Sequence, residues 1–348
     1  MTPKNQKRQC RSNTCGTFGT ESLFFLVLLF FASFSAFGIA QTRYTVNRPI
    51  STPMPAPTTP TIADELADYT PSHTSSIDWE TNYEYAVDVA KQSSRYLLIY
   101  LYADNNTEIP EELAALPVVT ACRKFDTIIL DDSVVRAALC RYVLLRLPID
   151  ATIVGEDGAS VPVSLLPGFE HLVGHPGLVA IDFENKKEPY YGEVVGILPF
   201  LRGVSPTTAQ AETFLDLPPG TLTQRTLTYA VRTHPDKPLS TEGIPAPIML
   251  QLTTEHALYQ AERNVLTHQN FGVRSSQAQE VLGSGTPAEI CAQSQSGLGL
   301  FEGAIACMRA WRYSSAHWSI AKRTHRYYGY DMAQGKNGAW YGVGFFIN

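Results

Sequence analysis

The feature that most constrains this chain is an unbroken run of apolar and aromatic residues from Tyr96 to Tyr102. Such a run is typical of a strand that lies inside a sheet and is covered on both faces. It follows a helical pattern in which Tyr83, Ala86 and Ala90 fall on one face. Helix and strand patterns then alternate, which predicts an α/β sheet. The further elements are helices at 110–125 and 133–139 and strands at 142–147, 178–183 and 190–195.

Two segments of different composition divide the chain. Residues 41–76 are rich in Pro and Thr and predict an extended, solvated linker. Residues 205–216 are polar and precede a Pro-Pro-Gly boundary at 218–220, which predicts a second linker. The chain is 348 residues long, enough for two domains, which we place at 77–204 and 217–348.

Residues 1–40 have the pattern of a secretory signal peptide. Basic residues between Lys4 and Arg11 precede an apolar run over 23–40, and Gly38 and Ala40 fit a cleavage site. The alternative is a retained signal anchor, because the run is nearly long enough to span a bilayer. In either case we expect a secreted or extracytoplasmic protein. In the second case residues 23–40 attach it to the membrane.

Composition excludes some functional classes. A net charge of −6 argues against general nucleic-acid binding, which usually requires a basic surface. Hydrophobic content of 44% and charged content of 17% are typical of folded domains and not of disorder. No Walker-type or GxGxxG segment follows a strand pattern, so the sequence predicts no nucleotide site.

Cysteine usage fits an exported protein. Two of the six cysteines lie in the predicted signal segment, and the others are Cys122, Cys140, Cys291 and Cys307. Export permits one disulfide in each domain, with these cysteines in structural roles. Buried free thiols fit equally well, since cysteine is among the most buried residue types. There is no CxxC, so neither a dithiol redox motif nor a zinc ribbon is present.

The middle domain resembles the thioredoxin-like fold. The resemblance rests on Trp79 and its helix, the strand at 97–102, the strand at 143–150, and Gly174-His175-Pro176 before the next strand. In that family the proline at this place is usually cis and faces the active site, so Pro176 is the cis candidate, and Asp104 is expected near His175. The family's CxxC is replaced by 103–106, Ala-Asp-Asn-Asn, so the resemblance implies a redox-inactive module.

The last third of the chain combines helices with a terminal hairpin. Trp311 ends a helical pattern, and the small residues 314–316 present His317 at a turn. Asn337-Gly338 favours a hairpin turn between two aromatic, Gly-rich strands. Helices that flank a small sheet predict an α+β or three-layer domain. The predicted helices are 221–233, 252–268 and 302–311.

Several segments of this part match, in order, the motifs of one family. The strongest is Trp311-Arg-Tyr-Ser314-Ser-Ala-His317, which fits WxxSxxH. Residues 217–348 thus resemble the CAP superfamily (cysteine-rich secretory proteins, antigen five and pathogenesis-related proteins) in its bacterial, disulfide-poor form. Weaker counterparts are 231–239 for the first helix end, 255–261 with 266–268 for AxxHAxxMA…xSH, 288–292 for GENIA, and 340–345 for the terminal motif.

The resemblance implies a three-layer α-β-α domain with a cleft of two histidines and one or two acidic residues, which hold a divalent metal in some members. Carried over, it nominates His268, Glu289 and His317 as cleft residues and ligands for a metal such as zinc. A hydrogen-bonded cleft without metal is the alternative. The Asn of GENIA is absent, and Glu280 is a competing acid in another alignment. His256 is expected to be a helix-surface or buried polar residue.

Three functions follow. The leading hypothesis is an exported, non-enzymatic binding or scaffold protein for an unknown lipid, peptide or protein ligand. The second is a metal-dependent hydrolase, in which Glu289 or metal-bound water acts as base and His317 assists. The third is a thiol-disulfide protein that uses Cys122 and Cys140, whose spacing is too wide for the usual motif.

Overall fold

A computed structural model of the chain describes residues 77–154 and 159–348. The predicted signal segment at 1–40 and the linker at 41–76 lie outside these residues. Within the described ranges the protein is mixed α/β, with nine α-helices and three sheets. None of the helices in these ranges combines the length and apolarity needed to cross a bilayer.

The helices of the described residues are α1 (Tyr83–Ser93), α2 (Val118–Lys124), α3 (Ser133–Leu139), α4 (Thr208–Leu215), α5 (Leu222–Arg232), α6 (Pro247–Arg263), α7 (Phe271–Leu282), α8 (Leu300–Tyr313) and α9 (Ser315–Ala321). The strands are β1 (Tyr96–Tyr102), β2 (Tyr142–Pro148), β3 (Thr152–Val154), β4 (Ser160–Pro162), β5 (Gly177–Ile181), β6 (Val194–Pro199), β7 (Ile244–Pro245), β8 (Pro287–Gln293), β9 (Tyr327–Gln334) and β10 (Trp340–Ile347).

The first sheet has the order β2-β1-β5-β6. β1 pairs in parallel with β2 and antiparallel with β5, and β5 pairs antiparallel with β6. The side chains from Tyr96 to Leu101 are all buried. β1 is a central strand, and its side chains are buried on both faces of the sheet. This burial explains its lack of polar residues.

The second sheet has the order β7-β9-β10-β8, with a β9–β10 hairpin whose end pair is Gln334 and Trp340. Successive residues of β10 face opposite layers, as the pleat of a strand requires. Phe345 packs in the cluster that contains Met249 of α6, whereas Phe346 packs in the cluster that contains Trp311 of α8. Helices therefore cover both faces of this sheet.

The segment predicted as a linker at 205–216 contains helix α4. Ala211, Phe214 and Leu215 are buried, and they lie at helical spacing on one face. Thr207 and Gln210 form a capping box at its start. The polar residues that suggested a linker are the cap and the solvent face of a helix packed against the core.

Three other elements differ in their bounds from the prediction, and proline positions explain two of these differences. The helix predicted at 110–125 is a short 3-10 turn followed by α2, because Pro117 precedes the first residue of α2. The helix predicted at 252–268 begins earlier, with Pro247 in its first turn, and ends at Arg263, where Asn264 is left-handed. The strand predicted at 190–195 lies at Val194–Pro199.

The four cysteines of the described residues are free, so neither pair allowed by the sequence is bonded in the structure, and the alternative of buried free thiols fits three of the four. Cys140 is exposed at the end of α3, whereas its expected partner Cys122 is buried. Burial raises the pKa of Cys122 and raises that of Cys307 to about 12. Together with Cys291, these two buried thiols act as small apolar core residues.

A close approach between α8 and β10 yields a test of the packing. A Cβ atom at Gly303 would overlap the buried indole of Trp340. We expect Gly303→Ala to lower the free energy of unfolding by about 1–3 kcal/mol, as overpacking does. Urea titrations followed by tryptophan fluorescence measure this.

Gly272 of α7 provides the matched control, because a Cβ there meets no atom within 4 Å. Gly272→Ala should raise the free energy of unfolding by about 0.5 kcal/mol through helix propensity. An equal effect of the two substitutions would contradict the close packing of α8 on Trp340.

Candidate functional site

The site centres on Glu289 of β8, whose side chain is only 2% exposed. Glu289 and Cys291 alternate along β8 with Ile290 and Ala292. Cys291 packs with Ala257 of α6, whereas Ile290 and Ala292 belong to the cluster on the other face of the sheet. The pleat thus directs the Glu289 carboxylate into the layer of α6 and α7.

Arg274 of α7 neutralises this carboxylate. Its Nε donates to Oε2 of Glu289 at 2.8 Å, and its Nη2 donates to Oε1 at 2.9 Å. The paired, bidentate geometry is the strong form of an arginine–carboxylate contact. The Nη1 group donates to the carbonyl oxygen of Gln269 at 2.8 Å, which ties the loop before α7 to the same group.

Two histidines complete the surroundings of Glu289. The Nδ1 atom of His268 lies 2.9 Å from Oε1 of Glu289, and the Nε2 atom of His256 lies 3.8 Å from the same oxygen. His256 Nε2 also contacts the carbonyl oxygen of Thr267 at 2.8 Å, and Gln260 accepts from the Thr267 amide at 3.0 Å. Side chains of α6 therefore hold the loop that presents His268.

Burial and charge set the protonation states. Burial alone would raise the pKa of Glu289, but the hydrogen bond from His268 and the charge of Arg274 outweigh it, so the pKa is lowered. Burial lowers the pKa of His256, and the nearby Glu289 opposes this shift only in part. At neutral pH the group contains an ionised Glu289 and a neutral His256.

His317 lies beside His268, with 5.8 Å between the ring centroids. It sits in the first turn of α9, where its amide donates to the N-cap side chain of Ser314 at 3.5 Å. Burial and then the charge of His268 lower the pKa of His317. The structure therefore brings the three predicted residues together: His268 contacts both Glu289 and His317.

His268 is accessible to a ligand, whereas Glu289 is buried behind it. The side chain of His268 is 49% exposed. Glu289 accepts from Nδ1 of His268, so in the neutral form of this imidazole the lone pair is on Nε2. A carboxylate that fixes a histidine tautomer in this way is the usual support of a ligating imidazole. His268 and His317 thus offer two neighbouring imidazoles at the surface, with Glu289 behind them.

A second, buried group could also hold a metal ion. Ligand atoms of His256, Glu289 and Cys291 all lie within 4.8 Å of one another. Arg274 already occupies both oxygens of Glu289. Burial, and then the charge of Glu289, raise the pKa of the Cys291 thiol far from the thiolate form that binds metals. A cation in this group would therefore have to displace the guanidinium.

Some of these residues were not identified from the sequence. His256 was expected to be a helix-surface or buried polar residue and not a member of this group. The only signal in the sequence was its spacing of four residues from Gln260, which places both side chains on one face of α6. Nothing local indicated Arg274. The competing acid Glu280 is exposed on α7, and Glu289 occupies the site.

The place of the missing CxxC forms a self-contained turn. Asp104 Oδ1 accepts from the amide of Asn106 at 2.8 Å and from the hydroxyl of Thr107 at 2.9 Å. The expected partnership of Asp104 with His175 is not formed among the described contacts; the charge that acts on His175 is Glu302 of α8. The cis bond at Pro176 stays a prediction.

No protein-family model, curated protein or solved structure matches the chain.

Acid should destabilise the fold through this group. Because the folded pKa of His256 is lowered, its contribution is complete above the ordinary value of 6.5 and is lost as the pH falls below it. Glu289, also lowered, adds a loss as the pH falls below 4.5. Urea titrations between about pH 8 and pH 4 measure the free energy of unfolding.

A His256→Gln variant is the control for this pH dependence, with His171→Gln outside the site. His256→Gln should flatten the decline that begins below 6.5, and His171→Gln should leave it unchanged. An unaltered decline in His256→Gln would assign the effect to other groups.

Removal of Arg274 should leave a buried, uncompensated carboxylate. We expect Arg274→Met to lower the free energy of unfolding by about 3–5 kcal/mol at neutral pH. The double variant Arg274→Met/Glu289→Gln should lose less than the sum of the single changes, with a coupling of about 1–3 kcal/mol. Additive effects would show that the pair is not coupled.

Proposed function

We propose that the chain is an exported, non-enzymatic binding or scaffold protein, in which a CAP-like domain follows a redox-inactive thioredoxin-like module. The observation that carries this proposal is the state of Glu289. Both of its oxygens are engaged by Arg274, and His268 also binds one of them. A buried carboxylate with these partners orients His268 and is poorly placed to act as a general base.

Support for the thioredoxin-like module comes from its topology and its thiols. A strand–helix–strand unit with parallel β1 and β2 is followed by the antiparallel pair β5 and β6. The turn at 103–106 has no cysteine. The nearest thiol to it, Cys122, accepts from the amide of Ala103 at 3.3 Å and has a raised pKa, due first to burial. A low-pKa thiolate, which exchange chemistry requires, is therefore lacking at this turn.

Support for the CAP-like domain comes from its layers and from the three nominated residues. Helices cover both faces of the sheet β7-β9-β10-β8, which fits a three-layer domain. His268, Glu289 and His317 come from a loop, a strand and a helix that are far apart in sequence, yet they are neighbours. The ligand in this proposal meets the exposed edges of His268 and His317.

One observation favours the alternative of a metal-dependent hydrolase. His268 and His317 are adjacent imidazoles, and Glu289 sets the tautomer of the first. A divalent metal such as zinc, when bound, would supply Lewis acidity and activation of water. His268 and His317 are the residues that would hold it, and Glu289 would remain behind them as a hydrogen-bond acceptor.

Zinc binding by the full chain separates the two functions. We expect isothermal titration to give no stoichiometric zinc binding beyond that of a His268→Ala/His317→Ala variant. With Glu289 paired to Arg274, only two imidazoles remain as ligands, fewer than zinc sites use. A His171→Ala variant controls for binding by other histidines. If the unaltered chain and His171→Ala bind zinc stoichiometrically and the folded double variant does not, the metal-dependent hydrolase becomes the better explanation.

A further inference from the structure

A second cleft lies where the loop after the first sheet meets α8. We call it the junction cleft; it has a volume of about 790 Å³ and is lined by residues of both halves of the chain, among them His175, Arg202, Glu302, Arg309 and Tyr313. This volume is typical of sites that bind small molecules. None of these residues belongs to the group around Glu289.

Two arginines give the cleft its chemistry. Arg202 from the loop after β6 and Arg309 from α8 are both exposed and both line it. Neither guanidinium forms an ion pair or a side-chain hydrogen bond with a described residue. Arginine is the residue best suited to planar, bidentate recognition of carboxylate and phosphate groups. Unpaired guanidinium groups from two separate elements are therefore available to an oxyanion.

The backbone at Arg202 is unusual. Its φ of 58° and ψ of 25° lie in the left-handed region, which costs a residue with a side chain roughly 1–2 kcal/mol. Gly203, which follows, also has a positive φ, and a Cβ there would lie 2.8 Å from Pro117 Cδ. The loop is packed too closely against Pro117 to relax, so this conformation holds Arg202 at the cleft. Conformations of this kind are concentrated at binding sites.

The lining of α8 forms a stripe along one face. Glu302, Ile305, Arg309 and Tyr313 are separated by three or four residues and all line the cleft. Tyr313, at the end of the stripe, is 90% exposed. Glu302 and Arg309 are two helical turns apart, a rise of roughly 10 Å, so the carboxylate does not neutralise the guanidinium.

His175 also lines the cleft. The Nδ1 atom of His175 is buried and has no hydrogen-bond partner among the described residues. Burial lowers the pKa of His175, although Glu302 opposes the shift. A buried polar atom without a partner is costly.

We propose that the junction cleft binds a small molecule with an apolar or aromatic body and one oxyanionic group, a carboxylate or a phosphate. Arg202 and Arg309 bind the oxyanion, and the body lies along α8, where Ile305 and Tyr313 provide apolar contact. The site is independent of His268 and His317, so this inference goes beyond the proposed function.

Three small probes test this with the full chain: 4-phenylbutyrate, phenyl phosphate and the neutral 4-phenylbutanol. By isothermal titration we expect at least one anionic probe to bind with a Kd below about 1 mM, and the alcohol to bind at least roughly tenfold more weakly. The preferred anion distinguishes a carboxylate site from a phosphate site.

Charge-removing variants locate the site. Arg202→Gln and Arg309→Gln should each raise the Kd of the anionic probe roughly tenfold or more, since each removes a charge-assisted contact. Arg323→Gln, an exposed arginine outside the cleft, should leave the Kd unchanged, as should His268→Ala/His317→Ala. The proposal is overturned if neither anion binds with a Kd below about 1 mM, or if binding survives both cleft substitutions.

Discussion

The structure depends on the burial of helix α5 between the two sheets. Every residue from Gln224 to Val231 is buried, although several are polar. Buried polar groups usually find partners, and Gln224 and Arg225 find them on the two sides of α5, although Arg225 Nε, Arg225 Nη2 and the Tyr229 hydroxyl have none among the described residues. Arg225 donates to the carbonyl oxygens of Leu217 and Pro218 at 3.0 and 2.7 Å and lies over the ring of Tyr96. These contacts tie the start of the second half to β1 of the first sheet.

The opposite side of α5 is tied to the second sheet in the same way. Gln224 donates to the hydroxyl of Thr254 on α6 at 3.0 Å, and that hydroxyl binds the buried carboxylate of Asp331 on β9 at 2.5 Å. Burial raises the pKa of Asp331, and the hydroxyl and amide donors around it oppose the shift. The hydrophobic cluster is accordingly continuous from β1 to Trp311 of α8. Because the two halves share this core, the loop of Arg202 and the face of α8 meet and form the junction cleft.

The two candidate sites use charge in opposite ways. At the first site, Arg274 cancels the charge of Glu289, and the residue that meets solvent is His268. At the junction cleft, Arg202 and Arg309 face solvent and form no ion pair with a described residue. A buried ion pair has little charge left to offer a ligand, whereas exposed arginines retain theirs. The first arrangement favours orientation of an imidazole, and the second favours capture of an anion.

The sequence by itself determined the features that depend on neighbouring residues. The burial of β1 followed from its unbroken apolar run, helices α3, α5 and α8 from their apolar spacing, and the terminal hairpin from its turn residues. The ordered motifs also predicted that His268, Glu289 and His317 share one site, and the structure places these residues side by side.

Only the tertiary structure decided which residues from distant segments meet. Helix α7 fully buries only Arg274 and Ala278, and its other apolar contacts, Phe271 and Leu282, are partly exposed, so its apolar stripe is weak. Arg274 reaches Glu289 only because α7 packs beside β8, and Arg202 and Arg309 share a cleft only because the halves share a core. The spacing of apolar residues along the sequence indicates which face of a helix or strand is buried. Which side chain pairs with a buried charge depends on how the helices and strands pack together.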